Sequence, residues 1–356
     1  MPARGDSEAV PAEDRRARSH DLTLPEARWE NEGGADGDQE QSALCRADFQ
    51  IDPVRPFRLD LSVWALRRRP RNTVDLWDGT SYGRALALAD ATVEVSVTQA
   101  DSRNAPSLDV TLTGERLDHR TQEDARPSIE RLLGLRVDLS SFYRMAEADN
   151  LIGPIATRFR GLKPPRFPTV FESLLNAVAC QQLSLEAGLS LLNRLAATYG
   201  ETVPADQTSP HAFPRPAHLA DLEPQALRQL GFSARKATTI IEVSRAAVAG
   251  NLEGLEHDTD DEVVSRLTSL SGIGRWSAEY VLLRGLGRLH IFPGDDVGAR
   301  NNLARRLRLT APLDYHAVAK AVSRWQPYAG LVYFHLLLDR LETAGELEIT
   351  DAATPL

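Results

Sequence analysis

Two glycines separated by one residue, in Gly272-Ile273-Gly274, constrain the fold of this chain more than any other feature. Glycine adopts positive φ at little cost, so the pattern predicts a tight turn between two helices, with Ile273 anchored in the core. Such a turn directs backbone N–H groups outward at the start of the next helix, where a phosphate oxygen can bind. A plain corner between helices has the same glycine pattern, and these residues alone leave both interpretations open.

Two adjacent acids, Asp295 and Asp296, follow Pro293-Gly294 and precede a segment predicted to be an arginine-bearing helix. A carboxylate at a helix start accepts bonds from free N–H groups, so we expect one of the two to act only as a cap. The other is predicted to face a cleft and to stabilise positive charge that develops on a substrate. Asp296 follows Gly274 by 22 positions, which allows one helix and a return loop that would bring the acid beside the hairpin.

Trp276 and Tyr280 are four residues apart and therefore share one face of the helix that follows the hairpin. Stacking on a displaced base would contribute about 1–3 kcal/mol per base. Packing in the core explains the same spacing equally well.

The stretch from Leu270 to Leu303, LSGIGRWSAEYVLLRGLGRLHIFPGDDVGARNNL, resembles the signature of the helix-hairpin-helix DNA glycosylase superfamily. It is most similar to the 3-methyladenine DNA glycosylase II (alkylpurine) branch. The segment from Phe167 to Gly200 resembles the first core helices of that family. The resemblance implies that Asp296 is the catalytic aspartate and that Trp276 and Tyr280 line the substrate pocket.

The resemblance also implies which residues contact DNA. In the family, one side chain fills the hole left by the flipped nucleotide, and here that residue aligns with Gln182. The hairpin would hold the DNA backbone through Gly272, Ile273, Gly274 and Arg275. The family hairpin often binds a monovalent cation, which the resemblance would place at Leu270 and Gly272; no other metal and no cofactor is expected.

The implied activity is that of a monofunctional N-glycosyl hydrolase in base excision repair. It would remove 3-methyladenine and 7-methylguanine from duplex DNA and leave an abasic site, with neutral lesions such as hypoxanthine released more slowly. Bifunctional relatives carry a nucleophilic lysine where this chain has Trp276, and tryptophan cannot form a Schiff base. The chain departs from the alkylpurine pattern at Val297 and Leu337, where aromatic residues are expected.

Three other functions stay open at this point. The first is a glycosylase for another damaged base. The second is a non-catalytic DNA-damage-binding protein, which the acid at Asp296 disfavours. The third is a structural protein in which the hairpin binds nothing.

The overall charge of −9 disfavours DNA binding at first sight, but the charge is unevenly distributed. Residues 1–44 carry −6, which leaves −3 for the remainder. Seven arginines cluster near the hairpin and the acids and predict a basic face for phosphate contact: Arg275, Arg284, Arg288, Arg300, Arg305, Arg306 and Arg308. Without a long apolar run or a signal-peptide pattern, we expect a monomeric cytoplasmic protein that associates with the nucleoid and duplex DNA rather than with membranes.

The patterns predict an α+β protein with an antiparallel sheet followed by an all-α helix-hairpin-helix core. Residues 1–44 are polar and acidic and are predicted to be a disordered tail. Residues 45–150 are predicted to form the sheet domain, with flanking helices, because short alternating segments are separated by turn signals. In this region Phe57–Leu66 alternates apolar and polar residues and predicts a strand. Residues 151–345 are predicted to be helical, and 346–356 a C-terminal tail.

Overall fold

The computed structural model describes residues 44–100, 106–203 and 210–347, which belong to one compact unit. A five-stranded antiparallel sheet precedes a helical core, which confirms the predicted α+β class. The strands are β1 (Cys45–Ile51), β2 (Leu76–Trp77), β3 (Ser81–Ala87), β4 (Thr92–Ala100) and β5 (Ser107–Gly114), in the order β1-β5-β4-β3-β2. Residues 1–43 of the predicted acidic tail and residues 348–356 of the predicted C-terminal tail lie outside the described residues.

The alternating segments form strands because one face of the sheet is buried. In β4, Val93, Val95 and Val97 are all buried, and the residues between them are more exposed. Asp78-Gly79 turns the chain from β2 into β3, as predicted, with φ of +107° at Gly79.

Fourteen α-helices lie within the described residues. α1 (Leu59–Arg67) lies between β1 and β2, and α2 (His119–Leu133), α3 (Ser140–Glu147) and α4 (Gly153–Arg158) follow the last strand. Those that lead to the hairpin are α5 (Val170–Cys180), α6 (Leu185–Tyr199), α7 (Pro216–Ala220), α8 (Pro224–Gln229), α9 (Ala234–Val248) and α10 (Asp260–Thr268). Those after the hairpin are α11 (Arg275–Arg284), α12 (Val297–Arg306), α13 (Tyr315–Val322) and α14 (Ala329–Thr343), with a 3₁₀ turn at Ser323–Trp325 between the last two.

The strand predicted over Phe57–Leu66 is wrong, because most of this segment is α1. Nearly every residue of α1 is buried, including Ser62. A helix that is buried on all sides shows no 3.6-residue apolar stripe, so its apolar positions can alternate by chance.

The segment Val170–Tyr199, predicted to be helical around the loop that carries Gln182, is interrupted between Cys180 and Leu185, where that loop lies. Thr169 caps α5 by accepting a bond from Glu172 N, and Ser184 caps α6 by accepting one from Ala187 N. The second helix therefore has its own N-cap, and a short exposed loop separates it from the first helix.

Helix α11 contacts all three hydrophobic clusters of the described structure. Val281 and Leu282 pack among the helices around the hairpin, Leu283 packs with α14, and Tyr280 packs under the sheet. Every residue from Ser277 to Arg284 is buried. The helix that begins at the hairpin is thus fixed from three sides, which also fixes the direction of its exposed first turn.

Candidate active site

The glycine hairpin has the geometry that the sequence predicts. Gly272 has φ of +83°, and a Cβ atom there would lie 2.0 Å from Thr239 Oγ1, so only glycine fits. Ile273 is buried, as predicted, and its N–H donates to Leu270 O at 3.1 Å. A Cβ atom on Gly274 would meet nothing within 4 Å, so the outer side of the turn is open.

Helix α11 starts at this open side with free N–H groups. Gly274 is its N-cap and supplies no side-chain bond, and the next residue, Arg275, is exposed. The first N–H groups of a helix have no partner inside it, and they favour an anion. The Arg275 guanidinium lies 5.1 Å from the ring centre of Tyr315 and adds positive charge at the same end.

Asp296 has the capping role that the sequence predicts for one of the two neighbouring acids. It is the N-cap of α12, with Oδ1 accepting a bond from Ala299 N at 2.8 Å, and it is partly buried. Asp295 is exposed and does not cap the helix. Burial raises the pKa of Asp296, whereas the bond from Ala299 and the positive charge of Arg68 act in the opposite direction.

Trp276 and Tyr280 lie side by side, with ring centres 5.7 Å apart. Tyr280 is buried, so it supports Trp276 from behind, and Trp276 is the more accessible ring. The indole N–H of Trp276 has no hydrogen-bond partner among the described residues, and the Trp276 side chain favours the charged form of Asp296. The structure therefore brings Trp276 and Asp296 together.

Arg68, which the sequence did not single out, lies in the interior of the site. It follows α1 in the left-handed conformation, with φ of 64°, and only 4% of its surface is exposed. Nη1 donates to Tyr280 Oη at 2.9 Å and Nη2 to Asn176 Oδ1 at 2.7 Å, while Nε is buried without a partner among the described groups. Because both acceptors are neutral, they do not cancel the positive charge of the guanidinium, and this charge favours the charged form of Asp296.

The last helix supplies an aromatic residue, but not at the predicted position. Leu337 is partly buried among apolar neighbours, and Val297 is exposed. One turn before Leu337, Tyr333 is almost fully buried, and the negative charge of Asp296 acts on its hydroxyl group. Burial raises the pKa of Tyr333 first, and Asp296 raises it further. Only the fold shows that this turn of α14 faces the acid.

Glu279 holds the loop that carries the two acids. Its Oε2 accepts a bond from Gly294 N at 3.1 Å, and its Oε1 accepts one from the Tyr315 hydroxyl at 2.6 Å. The bond to Glu279 raises the pKa of Tyr315 to about 12. A Cβ atom on Gly294 would lie 2.7 Å from the Tyr315 ring, so the loop, the carboxylate and the ring fit closely.

Gln182, the predicted plug, lies at the tip of the loop between α5 and α6. It is exposed, and its φ of +53° is unusual for a residue with a side chain. Leu183 beside it is also exposed, at 46%, and is one of five large apolar side chains that the described residues leave so open. The loop thus presents a polar and an apolar side chain together.

The predicted basic face is smaller than the sequence indicates. Arg284 is fully buried and donates to Ala65 O, Arg288 donates to the carbonyls of Glu256 and Asp258, and Arg306 donates to Leu151 O. These three arginines hold backbone segments together. The exposed or partly exposed arginines around the hairpin and α12 that make no such bond to a backbone carbonyl of the described residues are Arg275, Arg300, Arg305 and Arg308.

The carbonyls predicted to hold a monovalent cation already accept hydrogen bonds. Leu270 O accepts from Ile273 N, and Gly272 O accepts from the Gln181 side chain at 3.0 Å. Each carbonyl oxygen has a second lone pair, so the donor set fits a cation. Among the described residues, no three His, Cys, Asp or Glu side chains are grouped to bind a metal, and no helix is long and apolar enough to span a membrane.

Comparisons with known proteins find a matching family and a similar fold. The family described as HhH-GPD superfamily base excision DNA repair protein matches residues 175–327, from the middle of α5 to just before α14. A 3-methyladenine DNA glycosylase from Archaeoglobus fulgidus has a similar structure, with a TM-score of 0.72, 27% identity, and coverage of 82% of this chain and 98% of that one.

Two curated proteins are similar in sequence. The DNA-3-methyladenine glycosylase of Bacillus subtilis (strain 168) is 29% identical over 221 residues, which cover 61% of this chain and 73% of the relative. DNA-3-methyladenine glycosylase 2 of Escherichia coli (strain K12) is 29% identical over 185 residues, which cover 52% of this chain and 63% of the relative. The chain thus spans about two thirds of the length of these relatives. By the hairpin and by these matches, residues 175–327 belong to the HhH-GPD superfamily of base excision DNA repair proteins, and the chain is similar to 3-methyladenine DNA glycosylases.

Proposed function

We propose that this protein is a monofunctional DNA glycosylase that flips alkylated purines, 3-methyladenine and 7-methylguanine, out of duplex DNA and releases them as free bases. The observation that carries the proposal is the position of Asp296. A partly buried carboxylate lies beside the accessible Trp276 ring, at the far end of the helix-and-loop segment that starts at the open hairpin. The relatives' names, which describe 3-methyladenine glycosylases, support the substrate class.

The DNA backbone would be held first. The free N–H groups at the start of α11, together with Arg275, supply donors and positive charge for one phosphate. A base inside a duplex is shielded, so the nucleotide must rotate out before any chemistry on its sugar. Gln182 and Leu183 are placed on an exposed loop from which a side chain can enter the vacated space.

Asp296 would act on the sugar. The C1′–N bond breaks and both of its electrons leave with the base, which is neutral on release if the alkylated base was cationic. The sugar is left as an oxocarbenium ion, which a nearby carboxylate stabilises. Water then adds at C1′ and loses a proton, which leaves an abasic site. Trp276 occupies the position of the lysine in bifunctional relatives, so the backbone stays intact.

The test is release of methylated bases from alkylated duplex DNA by the full chain, with wild type compared with Asp296→Asn. We expect 3-methyladenine or 7-methylguanine from wild type alone, and an unbroken strand until the abasic site is cleaved chemically. Equal release by both proteins would remove Asp296 from the mechanism. Strand cleavage by the protein itself would contradict the monofunctional assignment.

Arg68 favours a second candidate, a glycosylase for neutral damaged bases. Its buried guanidinium acts on Asp296 and has an unpartnered N–H. Such a charge repels a cationic base, and it stabilises a neutral base that departs with negative charge. Release of hypoxanthine at a rate equal to or above that of 7-methylguanine, with the Arg68→Met variant reversing the order, would favour this candidate.

A further inference from the structure

The loop between α5 and α6 is attached to the glycine hairpin by one side chain. The Gln181 amide Nε2 donates to Gly272 O at 3.0 Å and to Ser277 Oγ at 3.0 Å. Gly272 lies inside the hairpin, and Ser277 lies in the first turn of α11 and is fully buried. Gln181 therefore joins the exposed pair Gln182 and Leu183 to the element that carries the open N–H groups.

Further contacts hold the same loop on both sides of Gln181. Lys236, which a sequence pattern alone would leave in solvent, is buried in α9, and its Nζ donates to Ala179 O at 2.8 Å. Ser184 caps α6 on the far side. Thr239, also in α9, packs against the hairpin at Gly272. The loop, the hairpin and α9 therefore form one connected block.

The backbone at the tip depends on these anchors. A left-handed φ at a residue with a side chain costs about 1 kcal/mol or more, and it persists only where neighbouring contacts impose it. Gln182 has this conformation. The residue before it, Gln181, is bonded to the hairpin. The residue after it, Leu183, is exposed and precedes Ser184, the cap of α6. Gln181 is the anchor closest to the strained residue.

We propose that Gln181 is a positioning residue that couples capture of the DNA backbone by the hairpin to insertion of the loop into the duplex. Because the two elements are bonded, a phosphate bound at α11 places the loop tip at a fixed distance along the strand. The loop is then held ready for insertion, and the entropy of ordering it is not lost when DNA binds. This inference rests on the proposed function and adds a residue to it.

The test separates insertion from backbone binding. The duplex contains a tetrahydrofuran abasic-site analogue with 2-aminopurine as the opposite base, and insertion is read from 2-aminopurine fluorescence at saturating full-length protein. Binding to the same duplex without the analogue is read by anisotropy. We expect Gln181→Leu, which keeps the side-chain volume but removes both bonds, to lower the fluorescence change about tenfold and to alter anisotropy affinity less than about threefold.

Two variants serve as comparisons. Gln99→Ala is the matched control. Gln99 is also partly buried, and its amide donates to a backbone carbonyl, that of Phe57, at 3.3 Å. It lies in β4, outside the hairpin and the loop. It should leave the fluorescence change as in wild type. Ser277→Ala removes one of the two acceptors and should give a smaller loss than Gln181→Leu, which keeps the test valid if Gln181→Leu folds poorly.

Base release supplies an independent readout. A lesion in a one-nucleotide bulge needs less work to flip than a paired lesion. A positioning defect should therefore slow release from the paired site about tenfold more than from the bulge, whereas general unfolding slows both equally. Equal slowing, or a wild-type fluorescence change in Gln181→Leu, would overturn the coupling. If wild type releases no base but its fluorescence change depends on Gln181, the proposed function fails and the coupling stands.

Discussion

The guanidinium of Arg68 donates a hydrogen bond to the hydroxyl of Tyr280 at 2.9 Å, although the two residues are 212 positions apart in the chain. Arg68 follows the helix that packs under the sheet, and Tyr280 belongs to the helix that starts at the hairpin. The bond holds the buried positive charge of Arg68, which comes from the sheet side of the molecule, close enough to favour the charged form of Asp296. The sheet region thus contributes to the candidate active site.

Removing Arg68 should shift the pH dependence of base release. In the proposed mechanism Asp296 acts as a carboxylate, and burial already raises its pKa. Arg68 favours the charged form, so Arg68→Met should raise this pKa further and move the acid limb of the rate profile to higher pH. The measurement is single-turnover release as a function of pH.

Arg67→Met is the control for that experiment. Arg67 is also buried, but it donates to the carbonyls of Trp77 and Pro70, and it is not among the main groups that shift the pKa of Asp296. Its profile should keep the wild-type midpoint. A midpoint in Arg68→Met that equals that of wild type would remove Arg68 from the electrostatics of the site.

Asp296→Asn should separate activity from stability. Release should fall at least about 100-fold, because the carboxylate that stabilises the sugar cation is lost. Asparagine also caps helices well, so the bond from Ala299 can be kept, while the unfavourable burial of a charge is removed. The free energy of unfolding at neutral pH should therefore stay the same or rise by up to about 1 kcal/mol.

Denaturant unfolding of wild type, Asp296→Asn and Asp295→Asn would check this prediction. Asp295 is exposed and does not cap α12, so its variant should retain both activity and stability. A loss of stability in Asp296→Asn comparable with its loss of activity would indicate a structural role instead.

The two exposed residues of the plug loop should contribute unequally to insertion. Gln182→Ala removes the predicted plug, and Leu183→Ala removes the apolar side chain beside it. Because an apolar side chain gains most from entering the base stack, we expect Leu183→Ala to slow release by about tenfold and to affect paired lesions more than unpaired ones. Single-turnover rates on both substrates decide which side chain enters the duplex, and an unchanged rate in both variants would exclude this loop.

Tyr333 should supply the aromatic wall that Leu337 lacks. Tyr333→Leu removes the ring beside Asp296, whereas Tyr333→Phe keeps it. We expect a rise in KM for base release of about fivefold or more in the leucine variant and little change in the phenylalanine variant. An equal rise in KM in both variants would assign the effect to the hydroxyl group, and no rise in either would exclude Tyr333 from the pocket.

A buried ion cluster should make the sheet essential for stability. Arg84 in β3 bonds Asp75 at 2.8 Å and Glu172 of α5 at 2.6 Å, and all three residues are nearly inaccessible. Glu172→Ala leaves a buried charge without its partner and should cost about 3–5 kcal/mol of unfolding free energy. Glu186→Ala, which breaks an exposed bridge to Arg69, should cost less than about 1 kcal/mol by the same measurement.

The sequence by itself determined the features that depend on local backbone chemistry. Gly272 has a positive φ, as the glycine pattern predicts, and Ile273 is buried, as expected for the apolar residue between the two glycines. The Asp78-Gly79 turn and the cap at Asp296 follow the same logic, since a few neighbouring residues decide them. The α+β class followed because most of the strand and helix periods are distinct.

Tertiary structure alone decided which side chains meet. Arg68 after α1, Glu279 in α11 and Tyr333 in α14 reach the site from separate segments of the chain. No local sequence pattern identifies them, because a buried arginine or tyrosine cannot be told from an exposed one by its sequence neighbours. For the same reason Arg284, which the sequence predicts in a basic face, is buried, and Lys236 is buried as well. Packing fixes the distances between distant segments, and those distances set the charge around Asp296 and the anchor at Gln181.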